Sequence, residues 1–96
     1  MNSLYFLVHS VQMQDGVALV DGRLGEVTLK IGHIFNRSFP DSNAWQKREG
    51  GLPCALVLRS IEAYRHQLDE LSPGMTARLT LDGSHLSALK TAGVIE

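Results

Sequence analysis

"VDGRLGEVTLKIG", residues 20–32, is the stretch on which the reading of this chain turns. Val20 leads into Gly22 and Arg23, and Gly25 follows after Leu24. Val27, Leu29 and Ile31 then alternate with polar neighbours up to Gly32. Alternation with a period of two marks a strand with one buried face. Glycines between two such runs mark a turn. The stretch therefore predicts a strand, a tight turn bracketed by Gly22 and Gly25, and an apolar ramp through Ile34 into a strand over His33 to Ser38. Gly22 and Gly25 are expected to supply backbone angles that other residues disfavour. Gly32 is expected to turn the chain back toward the wall of the fold. Arg23 either stays exposed or ties the turn down by bonding its carbonyls.

The flanking sequence fits the same pattern. Leu4 to Val11 is rich in strand formers, with Leu4, Phe6 and Val8 on one face and Tyr5 and Leu7 on the other. Gln14 to Gly16 is a turn signal, and Val17 to Arg23 completes a hairpin. Phe39 to Pro53 holds two prolines and a glycine pair, and reads as a long loop. Cys54 to Tyr64 is again strand-like. Arg65 to Gly74 predicts one helical turn ended by Pro73 and Gly74. In the run Met75 to Asp82, Met75, Ala77, Leu79 and Leu81 face inward, and Thr76, Arg78, Thr80 and Asp82 face outward. A turn at Gly83 follows, then a short helical turn within Ser84 to Thr91 and a closing strand over Gly93 to Ile95. About six short strands without a long helix predict an all-β fold. A small closed antiparallel β-barrel removes the exposed edges that make small sheets aggregate. Its expected core is Phe6, Val8, Leu19 or Val20, Leu56, Leu58, Ala77, Leu79 and Leu81.

Composition sets the bounds. The chain has 96 residues, 44% hydrophobic and 20% charged, which predicts one globular domain over residues 1–96 with a long loop at about 39–53. Nine Lys and Arg stand against ten Asp and Glu, a net charge of −1. Proteins that live on nucleic-acid affinity carry a basic excess, so a protein partner is expected ahead of RNA. Arg23, Arg59, Arg65 and Arg78 have acids between them and read as solvated strand faces. Cys54 is the single cysteine, which excludes an intramolecular disulfide and fits a reducing, cytoplasmic setting. The opening "MNSLYFLVHSV" has no basic start and is too short to cross a bilayer, so no membrane partner is expected.

The order of these signals resembles the second domain of translational GTPases, the barrel that follows the G domain in elongation factor Tu and its relatives. The likeness is carried by Gly22, Arg23 and Leu24, followed by Val27, Leu29, Ile31 and Gly32. It continues with Ile61, Glu62 and Tyr64 before Leu68, Asp69 and Glu70, then Gly74 leading to Gly83, and finally Leu89, Val94 and Ile95. The resemblance implies a closed barrel standing without its GTPase domain. In that family the barrel is a docking surface for the acceptor end of tRNA, for ribosomal RNA or for a neighbouring domain. What it implies here is a non-enzymatic binding module.

Signals for chemistry are sparse. No GxxxxGK[ST] loop and no GxGxxG follows a strand, so no nucleotide cofactor is expected. His66 with Asp69 or Glu70 supplies two metal ligands at best, fewer than a site needs. Glu62, Asp69 and Glu70 read as surface charge. Cys54 beside His9, His33, His66 or His85 would make a small enzyme, but a buried structural thiol is the preferred reading. Trp45, Lys47 and Arg48, in the long loop, are the candidate partner-binding residues. An aromatic beside cations caps a barrel end, anchors a protein contact or stacks on a base. A third reading is a subunit of an oligomer, with Leu4 to Val8 in the interface.

Overall fold

A computed structural model of the chain describes residues 4–40, 51–84 and 86–96, with Ala88 described by its backbone alone. The elements in chain order are β1 (Phe6–Gln14), β2 (Val17–Leu24), β3 (Leu29–Lys30), β4 (Ile34–Phe39), β5 (Leu52–Ala63), β6 (His66–Leu68), β7 (Glu70–Leu71), β8 (Thr76–Ser84), a 3-10 helix (Leu86–Thr91) and β9 (Val94–Ile95). The main sheet runs β4-β9-β1-β2-β8-β5-β6, and a further pairing of β4 with β5 closes it. The result is a closed antiparallel barrel of six strands with β6 as an extra strand. The expected all-β barrel is the observed fold.

The length of β5 explains both the closure and the extra strand. One edge of β5 pairs with β8 from Ala55 to Glu62. The other edge is divided: Leu52 to Val57 pairs with β4, and Ile61 to Ala63 with β6. Three bulges bend the strands, between Val8 and Ser10, between Phe35 and Arg37, and between Leu58 and Ser60. An extra residue at a bulge increases local bend and twist, which a small barrel needs in order to close. Each bulge also resets the alternation. On β5, Cys54, Leu56 and Leu58 point inward, and after the bulge Ile61 and Ala63 do.

The interior is apolar. Phe6, Val20, Phe35, Leu56, Leu58, Leu79, Leu81 and Ile95 are completely buried, as expected for most of them. Val20 takes the inward position and Leu19 is half-buried, while Val8 packs against the core without being enclosed. On the opposite face of β1, Leu7 is half-buried.

Three expectations are corrected. First, Gly22 lies inside β2, paired with Val8 on one side and Ala77 on the other, and the turn begins only after Leu24. Neither Gly22 nor Gly25 has a positive φ; among the described residues the glycines that do are Gly16, Gly32, Gly74 and Gly83. Gly22 is required for close approach. A Cβ there would overlap the Leu7 carbonyl oxygen and the Phe6 ring. That crowding sits beside the bulge in β1, so the missing side chain is what lets the bulged strand lie against β2. Second, Arg65 to Gly74 makes strands β6 and β7 in place of a helical turn. β7 pairs with β3, Leu29 opposite Leu71 and Lys30 opposite Glu70, and both leucines are buried. Burying those leucines outweighs local helix preference. Third, the ramp after the turn buries only Leu29; Ile31 and Ile34 are 42% and 48% exposed. The positive φ of 92° at Gly32 breaks the alternation there. Three of the four arginines, read as solvated strand faces, have partners at the surface. Arg78 pairs with Asp21, Arg59 reaches Asp82 at 3.5 Å, and Arg23 bonds a carbonyl. That last bond settles the two readings of Arg23: its Nε donates to the Gly74 carbonyl oxygen at 2.9 Å. Leu24 N–H also reaches the Met75 carbonyl at 2.9 Å. Together they latch the end of β2 to the start of β8.

Candidate docking surface

A groove runs between the bulge of β1, the middle of β2, the end of β5 and the start of β8. It is lined by His9, Asp21, Gly22, Glu62, Tyr64 and Thr76, together with Ala63 and Ala77. Gly22 contributes backbone to this lining, since the Cβ it lacks would point inward toward the Phe6 ring. Asp21 forms one wall. It accepts two hydrogen bonds from Arg78, at 2.8 Å from Nε and 3.0 Å from Nη2, and one from Ser10 Oγ at 3.2 Å. The Arg78 bonds hold the Asp21 carboxyl below the usual carboxylate range, against the opposing effect of partial burial. The fork-shaped guanidinium matches the two carboxylate oxygens and fixes the plane of that wall. Arg78 is correspondingly held more firmly protonated.

Tyr64 stands at the rim. It is 77% exposed, the most open of the large apolar side chains among the described residues. It sits in the two-residue turn between β5 and β6, where Ala63 pairs with His66. Tyr64 and Arg65 both take positive φ, 52° and 65°. Two consecutive left-handed residues close a type I′ hairpin, a position that asparagine and glycine fill most readily. An aromatic there is unusual and strained. The fold holds an exposed ring in an unfavoured backbone conformation at the edge of a groove.

The sequence-derived residues are distributed differently. Trp45, Lys47 and Arg48 lie outside the described residues. Gly32 and Gly74 occupy positive-φ turn positions expected of glycines, whereas Gly83, expected in a turn, lies inside β8 opposite Leu56, where a Cβ would overlap the Ala55 carbonyl oxygen; Gly25 packs against the Tyr5 ring. Cys54 is buried, and its thiol donates to the Phe35 carbonyl at 3.5 Å. Burial pushes that thiol upward, away from the thiolate a nucleophile needs. His33 lies edge-on to the Phe35 ring with centroids 4.7 Å apart. Its Nε2 is buried and has no hydrogen-bond partner. Among the described residues, no group of three or more His, Cys, Asp or Glu side chains could hold a metal ion. Asp69 instead offers its backbone carbonyl to Ile31 N–H at 3.2 Å. No described helix is long and apolar enough to cross a membrane.

Sequence reasoning missed His9, Asp21 and Thr76 as members of one site. Arg78 reads as an outward strand position, but only the register of β2 with β8 sets it opposite Asp21. No local signal marks Tyr64 either, because the turn "AYRH" contains none of the usual turn residues.

The chain matches no protein-family model and no curated protein.

Proposed function

We propose that this chain is a non-catalytic docking module whose groove, with Tyr64 at its rim, takes a protein partner. The observation that carries this reading is the exposed Tyr64 ring on a strained turn. Tyrosine is enriched among the residues that dominate binding energy, since it brings a large contact area with few rotatable bonds. Strained backbone tends to persist where it serves function. The groove walls add polar groups already held in place, which lowers the entropic cost of binding. The likeness in sequence order to the second domain of elongation factor Tu-like GTPases supports the same class of role, a barrel that works by docking. A net charge of −1 favours a protein over RNA. The buried thiol of Cys54 speaks for docking over nucleophilic chemistry.

The test is affinity capture from lysate at low salt with the wild-type domain, Tyr64→Ala and Trp45→Ala, analysing both protein and RNA in each eluate. The expected outcome is one protein enriched by the wild type and lost with Tyr64→Ala, at an unchanged melting temperature. Loss with Trp45→Ala alone would move the docking surface to the segment with Trp45, Lys47 and Arg48. Specific recovery of RNA, with affinity falling steeply with salt, would replace a protein partner with a nucleic-acid one. Equal recovery with all three proteins would sink the docking reading.

A further inference from the structure

The hairpin of β1 and β2 fixes which backbone groups of β1 are used. Its loop, Asp15 and Gly16, has φ values of 51° and 83°, a two-residue type I′ turn, so Gln14 and Val17 form the hydrogen-bonded closing pair. Such pairs alternate along an antiparallel ladder. Gln12 with Leu19 and Ser10 with Asp21 are therefore bonded pairs, and the N–H and C=O of Val11 and Met13 point away from β2. On that side β9 meets β1 only opposite Phe6 and Leu7, and Val8 N–H reaches Gly93 O at 2.8 Å. Beyond Val8, no strand among the described residues pairs with this edge.

A second groove lies along the same edge. Val8, His9, Ser10 and Val11 line it consecutively, with Met13 on one side and Leu89 and Lys90 of the 3-10 helix across from them. A strand face would contribute alternate residues; a consecutive run is what an edge contributes. Val8 and Val11 pack against the core, and Leu89 belongs to it. The floor is apolar, and the rim carries Lys90 and His9 with no carboxylate among the lining residues.

We propose that the outer edge of β1 is a strand-addition site for an extended, acidic segment of a partner protein. Unpaired N–H and C=O groups at strand spacing are complementary to another extended backbone. The apolar floor takes alternate side chains of that strand, and Lys90 matches its carboxylates. A second copy of this edge is the weaker occupant: "SVQMQ" (Ser10 to Gln14) carries no charge, so it would leave Lys90 unmatched. The edge also lacks the lysine, proline or inward charge with which proteins usually blunt an exposed strand. The site stands apart from the Tyr64 reading, because the two grooves share only His9.

The probe is a capped nonapeptide, Glu-Val-Thr-Val-Glu-Val-Thr-Val-Glu, with its Lys-for-Glu counterpart as control, titrated into isotope-labelled protein and followed by amide resonances. The acidic peptide should shift Val11, Met13 and Lys90 at millimolar concentration, and the lysine peptide should bind about tenfold more weakly, a difference of about 1.4 kcal/mol. Lys90→Glu should reverse that preference. Met13→Pro should abolish binding with little change in melting temperature, because the Met13 N–H is not used by the hairpin. Tyr64→Ala should leave binding intact. Absence of shifts, shifts centred elsewhere, or equal binding of both peptides would overturn the proposal. So would a concentration-dependent dimer that protects Val11 and Met13, since a second copy would then own the edge. If Met13→Pro fails to fold, the reversal by Lys90→Glu decides alone.

Discussion

His33 shows how one side chain ties the stability of the barrel to pH. Its ring packs on Phe35 and its Nε2 is buried without a partner, so a charged imidazole would lose hydration there with nothing in return. Burial holds its pKa below the ordinary value of about 6.5. The folded state therefore favours the neutral ring, whereas the unfolded chain takes up its proton at the ordinary value. The stabilisation is complete above that value and is lost as pH falls below it toward the depressed folded pKa. Thermal melts between pH 7 and pH 5 should show a falling melting temperature for wild type and a shallower slope for His33→Gln. Equal slopes would place the pH dependence elsewhere. Asp21 acts in a lower window. Its pKa is depressed mainly by the Arg78 hydrogen bonds, so its contribution persists above the ordinary carboxylate pKa of about 4 and fades below it.

At the scale of elements, the turn between β5 and β6 carries a measurable strain. A left-handed residue with a Cβ costs about 1–2 kcal/mol, and Tyr64 and Arg65 are two in succession. The double change Tyr64→Asn with Arg65→Gly replaces them with the residues a type I′ turn prefers. Part of the gain is offset by the flexibility that glycine restores to the unfolded chain, about 0.5–1 kcal/mol. Urea unfolding should show a net gain of about 1 kcal/mol, together with loss of partner capture. No gain would mean that the turn is relaxed as it stands.

The same elements show what could be read from the sequence. The run from Met75 to Asp82 was legible because one face is buried and the other solvated, so alternation is strict. The stretch Arg65 to Gly74 was not, because β6 and β7 are too short to show a period and are held by distant partners, Ile61 and Leu29. Gly22 was misread as a turn residue because a glycine needed for strand approach looks the same in sequence as one needed for φ. Of the candidate site, the exposed polar positions were visible one by one. Their convergence depends on the bulge at His9 and on cross-strand register, and neither leaves a local mark.

For the molecule as a whole, the interior is one continuous apolar cluster, so it should respond to a single deletion. Leu79 is completely buried between Val20 on β2 and Ile61 on β5. Leu79→Ala should destabilise the domain by about 2–5 kcal/mol through lost burial and the space left behind. Denaturant unfolding would measure this, and a loss below 1 kcal/mol would mean that Leu79 does not sit in a tightly packed centre. Closure of the barrel has a kinetic consequence. β9 contributes only Val94 and Ile95, yet these pair with Leu7 and Phe6 on one side and with Phe39 and Ser38 on the other. The two hairpins, β1 with β2 and β5 with β6, join near neighbours and can zip locally. The seam must bring together positions from opposite ends of the sequence, which costs loop entropy before any contact rewards it. Closing that seam is therefore expected to lag behind the zipping of either hairpin, so the first and last strands of the barrel become ordered together.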